Sequence, residues 1–353
     1  MRKTDSRLMI DLYSDTKTKP TAAMRAAMAE AAVGDDHFGE DPTVQELQDF
    51  LAEKLGKAAA LFLPSATMAN QIALKVHTQP GDSVICHEQC HIRLFEGGTP
   101  AVFSGVMLDV VTGARGVFTG DQVRMAVRPS GPYFPPTRLV CVENTHNFCG
   151  GTIWSTAELD DVVVAVREAG LKLHLDGSRL FNAAVALGGV EGAWAIAQRL
   201  VRDFDTVTVC LTKGLGAPIG ALLLGTDEQI EVARRWKHAI GGAMRQSGIV
   251  AAGGLYALHN HLPQLALDHE NAQILAQGLS EIPGLKLAPW PETNLVFVDI
   301  AGTGLSGDVF KAQLKAQGVL CSGSGSRPRF VTNLGVGRDG IAEALSVIRA
   351  VCR

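Results

Sequence analysis

The sequence contains no internal repeat and no low-complexity tract, which excludes solenoids and disordered linkers. No apolar run reads as long enough to span a bilayer, so no membrane segment is expected. The first residues, Met-Arg-Lys-Thr-Asp-Ser-Arg, are polar and lack the apolar centre of a secretory signal. No long basic stripe occurs and the net charge is −4, which argues against nucleic-acid binding. The seven cysteines are odd in number and scattered, with Cys141, Cys210 and Cys321 inside apolar runs. That pattern lacks the pairing of a disulfide framework and points to reduced, buried thiols in the cytoplasm.

What is there fits an α/β protein. At 353 residues the chain is long enough for roughly two domains. Hydrophobic residues make up 46% and charged residues 19%, and the 38 glycines suit many tight strand-to-helix turns. Thr21 is placed to cap an Ala/Met-rich helix running to about residue 32. A polar loop over 34–42 leads to a helix over 43–55, with Val44, Leu47, Phe50 and Leu51 on one face. Apolar strands are expected at 58–63, 83–86, 106–111, 139–143, 172–176 and 206–211. The helices between them fall at 65–75, 156–169 and 193–201. A further strand at 221–225 follows so short a link that an antiparallel direction is expected. This alternation implies a mostly parallel sheet covered by helices on both faces. After a helical stretch at 248–280, strands at 295–300 and 329–332 and helices at 308–317 and 339–351 read as a smaller α+β domain. The expected division is 1–250 and 251–353.

Lys213 is the most informative residue. It closes the apolar run Asp205-Thr-Val-Thr-Val-Cys-Leu-Thr and is followed by the glycine-rich turn Gly214-Leu-Gly-Ala-Pro. Upstream, His174-Leu-Asp-Gly-Ser-Arg179 puts Asp176 at the end of another apolar run. Alone, Lys213 reads as a strand-end lysine reaching solvent, and Asp176 as a turn residue. Together, an amine and a carboxylate, each at a strand end, are what pyridoxal phosphate requires: the lysine forms a Schiff base with the aldehyde, and the aspartate keeps the pyridine nitrogen protonated.

Two short motifs are decoys. His87-Glu-Gln-Cys-His91 matches H-E-x-x-H, but it directly follows a strand, whereas a zinc peptidase needs both histidines on one helical face. No metal is expected. Gly302-Thr-Gly-Leu-Ser-Gly307 matches G-x-G-x-x-G, yet the acidic residue expected about 20 positions on is missing. A tight loop is the better account.

Blocks along the whole length carry a resemblance. They are Asp11-Leu-Tyr-Ser-Asp-Thr, Val33-Gly-Asp-Asp-His-Phe-Gly-Glu-Asp-Pro-Thr-Val, Phe62-Leu-Pro-Ser-Ala-Thr, Leu94-Phe-Glu-Gly-Gly, Glu143-Asn-Thr-His-Asn, His174-Leu-Asp-Gly-Ser-Arg, Leu211-Thr-Lys-Gly-Leu-Gly and Gly242-Ala-Met-Arg-Gln-Ser-Gly. The chain resembles the low-specificity L-threonine aldolases, PLP-dependent enzymes of fold type I in the β-eliminating lyase group. The resemblance implies a large domain with a mostly parallel seven-stranded sheet and a small C-terminal α+β domain. It implies cleavage of L-threonine, L-allo-threonine and related β-hydroxy-α-amino acids to glycine and an aldehyde, in a homotetramer or dimer of dimers. A preference for bulkier substrates such as phenylserine, or another fold type I lyase or aminotransferase activity, is the alternative.

By the same resemblance, Lys213 holds the cofactor, Asp176 pairs with its ring nitrogen, and Arg179 sits near its phenolic oxygen. Ser65, Ala66 and Thr67 hold the phosphate, as backbone N–H groups at a helix start favour an anion. Arg245 reaches the phosphate, from a neighbouring subunit. His91 stacks on the ring and His146 lies near the substrate hydroxyl. Ser14 and Arg329 bind the substrate carboxylate, for which the arginine fork is suited. The proton acceptor stays open among His91, His146 and a water. Three departures from the family pattern stand out: Pro64-Ser-Ala-Thr for the usual Pro-Thr-Gly-Thr, Phe38 for a tyrosine at the substrate mouth, and Ile92-Arg93 after the stacking histidine.

Overall fold

The computed structural model describes residues 9–287 and 289–353. Its strands are β1 (Ile10–Asp11), β2 (Ala59–Leu63), β3 (Ser83–His87), β4 (Met107–Val111), β5 (Thr137–Glu143), β6 (Lys172–Gly177) and β7 (Thr206–Cys210). Then follow β8 (Ala221–Gly225), β9 (Lys286–Leu287), β10 (Leu295–Asp299), β11 (Val319–Leu320), β12 (Ser322–Ser324) and β13 (Arg327–Val331). Seven of them form the main sheet, in the order β2-β8-β7-β6-β5-β3-β4. The pairs from β7 through β4 are parallel, and β8 runs against both its neighbours, as the short link before it implied. Every residue of β3, β7 and β8 is buried, which explains why these strands read as continuous apolar runs rather than alternating ones.

The parallel register sets the site. Glu143 at the end of β5 faces Asp176 near the end of β6, and Asp176 faces Thr208 of β7. Lys213 follows three residues after β7 ends. All three therefore gather at the carboxyl edge of the sheet, where open α/β sheets place their ligands.

Two of the longer helices escape the sequence reading, Gly120–Ala126 and Asp227–Ala239, as does the single turn His91–Leu94. The second buries only Ile230, Ala233 and Lys237, so few apolar side chains mark its inner face. The helix expected at 193–201 begins much earlier, at Leu180, and runs to Val201 with a break at Gly189, whose φ is +65°. This helix also corrects the reading of the apolar runs: by length and composition it is long enough to cross a membrane. Its composition follows from core packing, because Leu180, Phe181, Ala183, Ala184, Ala197 and Leu200 all enter the main core.

The two cores do not divide at 250/251. Ala251, Leu255, Leu258, Leu262 and Leu265 pack into the core beneath the main sheet. Ala272, Leu275 and Leu279 belong to the second core, so the helix Leu262–Ser280 serves both. Ile10 and Leu12 also join the second core, and β1 pairs in parallel with β11. The N-terminal segment thus crosses from the large unit to the small one. There the antiparallel sheet β12-β13-β10-β9 carries Arg329, paired in register with Phe297 and Ser322.

Candidate active site

A cavity of about 300 Å³ opens at the carboxyl edge of the main sheet. Ser14, His91, Glu143, Asp176, Arg179, Lys213 and Arg329 line it, together with the aromatic pair Phe95 and Phe148. His91, Glu143, Asp176, Arg179 and Lys213 come from the ends of four strands, β3, β5, β6 and β7, or the turns after them, and Ser14 and Arg329 come from the segments that tie in the small unit.

Asp176 is buried and both its oxygens are engaged. Oδ2 accepts from Asn70 Nδ2 at 2.9 Å and Oδ1 from the Ser178 amide at 3.0 Å. Burial alone would raise its pKa. The nearby charges of His91 and Lys213 and the Ser178 N–H outweigh that, so the carboxyl lies below its ordinary value. Lys213 Nζ makes no hydrogen bond or ion pair among the described residues. An amine in a cavity without a partner, beside a carboxylate held ionised, fits a carbonyl-bearing cofactor with a basic ring nitrogen.

His91 opens the short helix His91–Leu94. Its backbone N–H donates to Glu143 Oε2 at 2.7 Å, and its ring Nδ1–H donates to Glu96 Oε1 at 2.9 Å. Burial disfavours its charged form, but the Glu96 bond and the charge of Asp176 raise its pKa overall. Glu143 also accepts from the Asn147 N–H at 2.9 Å. Burial and the charge of Asp176 push its carboxyl up to about 7.

Arg179 lines the cavity while its Nε and Nη2 form a buried bidentate pair with Asp15, at 2.8 and 2.7 Å. Asn294 adds a third bond to the same carboxylate at 3.1 Å. Arg329 differs. Its Nη1 donates to Asn147 Oδ1 at 2.9 Å and its Nε to Ser322 Oγ at 3.0 Å, and no carboxylate of the described residues pairs with it. Burial, then the charge of Arg179, pushes it down to about 10, still cationic at neutral pH. A half-buried cation with neutral partners is a receptor for an anion. Ser14 Oγ lies 2.8 Å from Thr16 Oγ1, on the same wall.

Ser65, Ala66 and Thr67 stand at the start of the helix Ala66–His77, where Ser65 Oγ accepts the Met68 N–H at 3.2 Å. They do not line the cavity. Asn70 on the same helix touches Asp176, so the free N–H groups of Ala66 and Thr67 stand about one turn, ~5 Å, beyond that contact. This spacing suits a phosphate attached to a ring whose far nitrogen meets Asp176.

Besides Ser65, Ala66 and Thr67, three more expected residues are not brought to the cavity of this chain. His146 is fully buried outside the lining, edge-on to His87 with 4.7 Å between ring centres. Neither of its ring nitrogens has a protein partner, and burial pushes it down to about 4. Gly116 makes room for it: a Cβ there would stand 2.4 Å from the ring. Phe38 is 68% exposed, and Arg245 lies 5.7 Å from its ring centre, ion-paired to Asp35 at 2.8 Å. Both occupy a surface loop away from the cavity.

The H-E-x-x-H reading fails on geometry. His87 ends β3 and His91 begins a new helix, so they share no helical face. They fall into separate groups, His87 with His146 and Cys149, and His91 with Glu96 and Asp176.

Several site residues were not singled out from sequence. Asp15, Glu96, Asn70 and Asn147 act as partners of the expected residues, and Phe95 stacks on Phe148 at 4.1 Å between centres. Asp15, Glu96 and Asn147 lie inside the quoted blocks, and membership of a block is the one signal the sequence offers for them. Nothing local marked Asn70.

A lysine amine, an ionised aspartate and a free arginine at the carboxyl edge of such a sheet define a fold type I pyridoxal phosphate architecture. Two solved structures share it: Leishmania major threonine aldolase, at TM-score 0.82 and 20% identity over 97% of this chain and 99% of that one, and Sphingomonas wittichii serine palmitoyltransferase, at 0.74 and 17% over 98% and 88%. The β-eliminating lyase family model matches residues 11–303, and the chain belongs to that family. Among its relatives are the low specificity L-threonine aldolase of Escherichia coli (strain K12), 40% identical over 97% of this chain and 99% of the relative, and low-specificity L-threonine aldolase 1 of Arabidopsis thaliana, 41% identical over 91% and 90%.

Proposed function

We propose that this chain is a pyridoxal phosphate-dependent aldehyde-lyase that cleaves L-threonine and L-allo-threonine to glycine and acetaldehyde. The observation that carries the reading is the combination in one cavity of the unpartnered Lys213 amine, the ionised Asp176 and the carboxylate-free Arg329. The near full-length likeness to relatives named as L-threonine aldolases supports it.

Lys213, Asp176 and Arg179 would hold the cofactor at its aldehyde, ring nitrogen and phenolic edge, and the start of Ala66–His77 would hold its phosphate. Bound there, pyridoxal phosphate supplies an electron sink for the pair released when Cα–Cβ breaks. The remaining work belongs to the protein. Arg329 and Ser14 clamp the substrate carboxylate, which fixes the orientation of the bond to be broken. A proton must leave the β-hydroxyl. His91 lines the cavity and His146 does not, which favours His91, or a water that it holds, as the acceptor. With Nδ1–H committed to Glu96, Nε2 is the nitrogen His91 has for this exchange.

Arg245 and Phe38 are assigned to the site of a neighbouring copy in a homo-oligomer. Their exposure and distance from this chain's own cavity support that assignment. The seven free cysteines support a reducing, cytoplasmic setting.

The test is direct. Purified protein should show the visible absorbance of lysine-linked pyridoxal and should release acetaldehyde from L-threonine, read by coupling to an alcohol dehydrogenase. Keto acid formation without aldehyde would replace the aldolase reading with an aminotransferase. Borohydride reduction should label Lys213, and a label on any other lysine would overturn its assignment.

A further inference from the structure

Beneath the cavity a line of polar side chains leads to Asp176 and Glu96, and its other members, His77, Thr206, His174 and Asn70, take no part in the steps above. His77 Nε2 lies 2.9 Å from Thr206 Oγ1, and Thr206 Oγ1 lies 2.9 Å from His174 Nδ1. His174 Nε2 lies 3.2 Å from Asn70 Oδ1. Asn70 Nδ2 then donates to two carboxylates, Asp176 Oδ2 and Glu96 Oε1, each at 2.9 Å. Asn70, Glu96, His174, Asp176 and Thr206 are all buried.

The direction of every bond follows from donor and acceptor chemistry. Two carboxylate oxygens can only accept, so the Asn70 amide must turn its NH2 toward them and its oxygen toward His174. That oxygen can only accept, so His174 carries its proton on Nε2. Burial pushes His174 down to about 3, which keeps it neutral and leaves Nδ1 as an acceptor. Thr206 therefore donates to His174 and takes the N–H of His77. Flipping Asn70 would set its oxygen against two carboxylates and its NH2 against the His174 N–H. The line thus permits one orientation of Asn70, and its members share a low-dielectric interior where such bonds reinforce each other.

We propose that Asn70, locked by His174 and Thr206, is a positioning residue that fixes Asp176 and, through Glu96, His91 as one unit facing the cofactor. The proposal rests on the pyridoxal phosphate reading. Asp176 and His91 come from different elements, the end of β6 and the helix after β3, and Asn70 is the group that bonds one directly and the other through a shared oxygen of Glu96. If Asp176 loses its orientation, the ring nitrogen is held less firmly in its protonated form. The positive charge beside the lysine linkage then falls, and that linkage keeps its own proton to higher pH.

The experiment compares wild type with His174→Phe, His174→Gln and Thr206→Val. Three quantities are read: the dissociation constant of pyridoxal phosphate from the apoprotein, the pH midpoint of the visible absorbance of the loaded protein, and the thermal midpoint of the apoprotein. His174→Phe should weaken cofactor binding by about tenfold and raise the pH midpoint by roughly half a unit or more. Thr206→Val should move both the same way by less. His174→Gln, whose side-chain N–H can still donate to Asn70, should restore most of both. A fall in thermal midpoint with unchanged affinity and pH midpoint would make the line merely structural and overturn the proposal. Should His174→Phe fail to fold, unchanged affinity and pH midpoint in Thr206→Val would overturn it alone. A wild-type protein without the visible absorbance would instead overturn the cofactor reading itself.

Discussion

Arg329 shows how a single residue can be read for what it lacks. Its partners, Asn147 and Ser322, orient the guanidinium without neutralising it. Arg329→Leu should lower kcat/KM for L-threonine by about a hundredfold or more, since a charge-assisted bidentate contact is lost. Arg329→Lys should recover little, because a point charge cannot keep both orienting bonds and grip a carboxylate. Asn147→Ala should cost less, about threefold to tenfold, by loosening the fork. Steady-state kinetics with L-threonine check all three, and equal losses in Arg329→Leu and Asn147→Ala would contradict the division of roles. Phe38 shows the opposite case. As an aromatic at a tyrosine position it reads as a specificity residue, yet in the single chain it stands on an exposed loop.

At the scale of elements, the glycine motif over 302–307 resolves into packing. Gly304 caps a short turn with φ +73°. Gly307 starts the helix Gly307–Ala316 against the Gly325 carbonyl, where a Cβ would stand only 1.8 Å from the oxygen. Gly307→Ala should therefore destabilise the protein by about 1–3 kcal/mol through overpacking. Because neither Gly307 nor Gly325 lines the cavity, kcat/KM should stay near wild type. Thermal unfolding alongside kinetics would measure both, and a nucleotide-binding role would instead show loss of activity at full stability. The helix Thr156–Glu168 was visible in sequence and its start explains why. Ser155 accepts the Glu158 N–H at 3.2 Å while the Glu158 carboxylate reaches back to the Ser155 N–H at 2.7 Å. Ser155→Ala should cost about 1 kcal/mol, read as a shift in the denaturation midpoint.

For the whole molecule, Asp268 links stability to pH. It sits in the helix that serves both cores, with Oδ1 accepting from Gln264 at 2.8 Å and Oδ2 unpartnered. Burial, then the charge of Asp15, raises its carboxyl to about 7. From about pH 4 to 7 the folded protein keeps a proton that the unfolded chain has lost, so this group makes stability fall as pH rises, by at most ~1.4 kcal/mol per unit. Above pH 7 the loss levels off. Asp268→Asn should remove that slope: equal to wild type near pH 4 and more thermally stable at pH 8. A variant less stable than wild type at pH 8 would show that the ionised carboxylate has a partner that the chain alone does not supply.

The sequence by itself determined the alternation of buried strands and helices, the Lys213–Asp176 pair and the blocks of the site, because these are local patterns: apolar runs, caps and turn residues. It also determined that β8 reverses, since a short link cannot cross a sheet. Only the tertiary structure decided what depends on distant groups meeting. The two cores share one helix because its opposite ends pack into different cores, and β1 joins the small unit through a pairing with β11, over 300 residues away. His146 left the cavity because its ring packs against His87, and Arg179 was claimed by Asp15. Asn70 gained its place between Asp176 and Glu96 because a helix and two strand ends converge there, and hydrogen bonds between side chains so far apart along the chain leave no period or spacing to read.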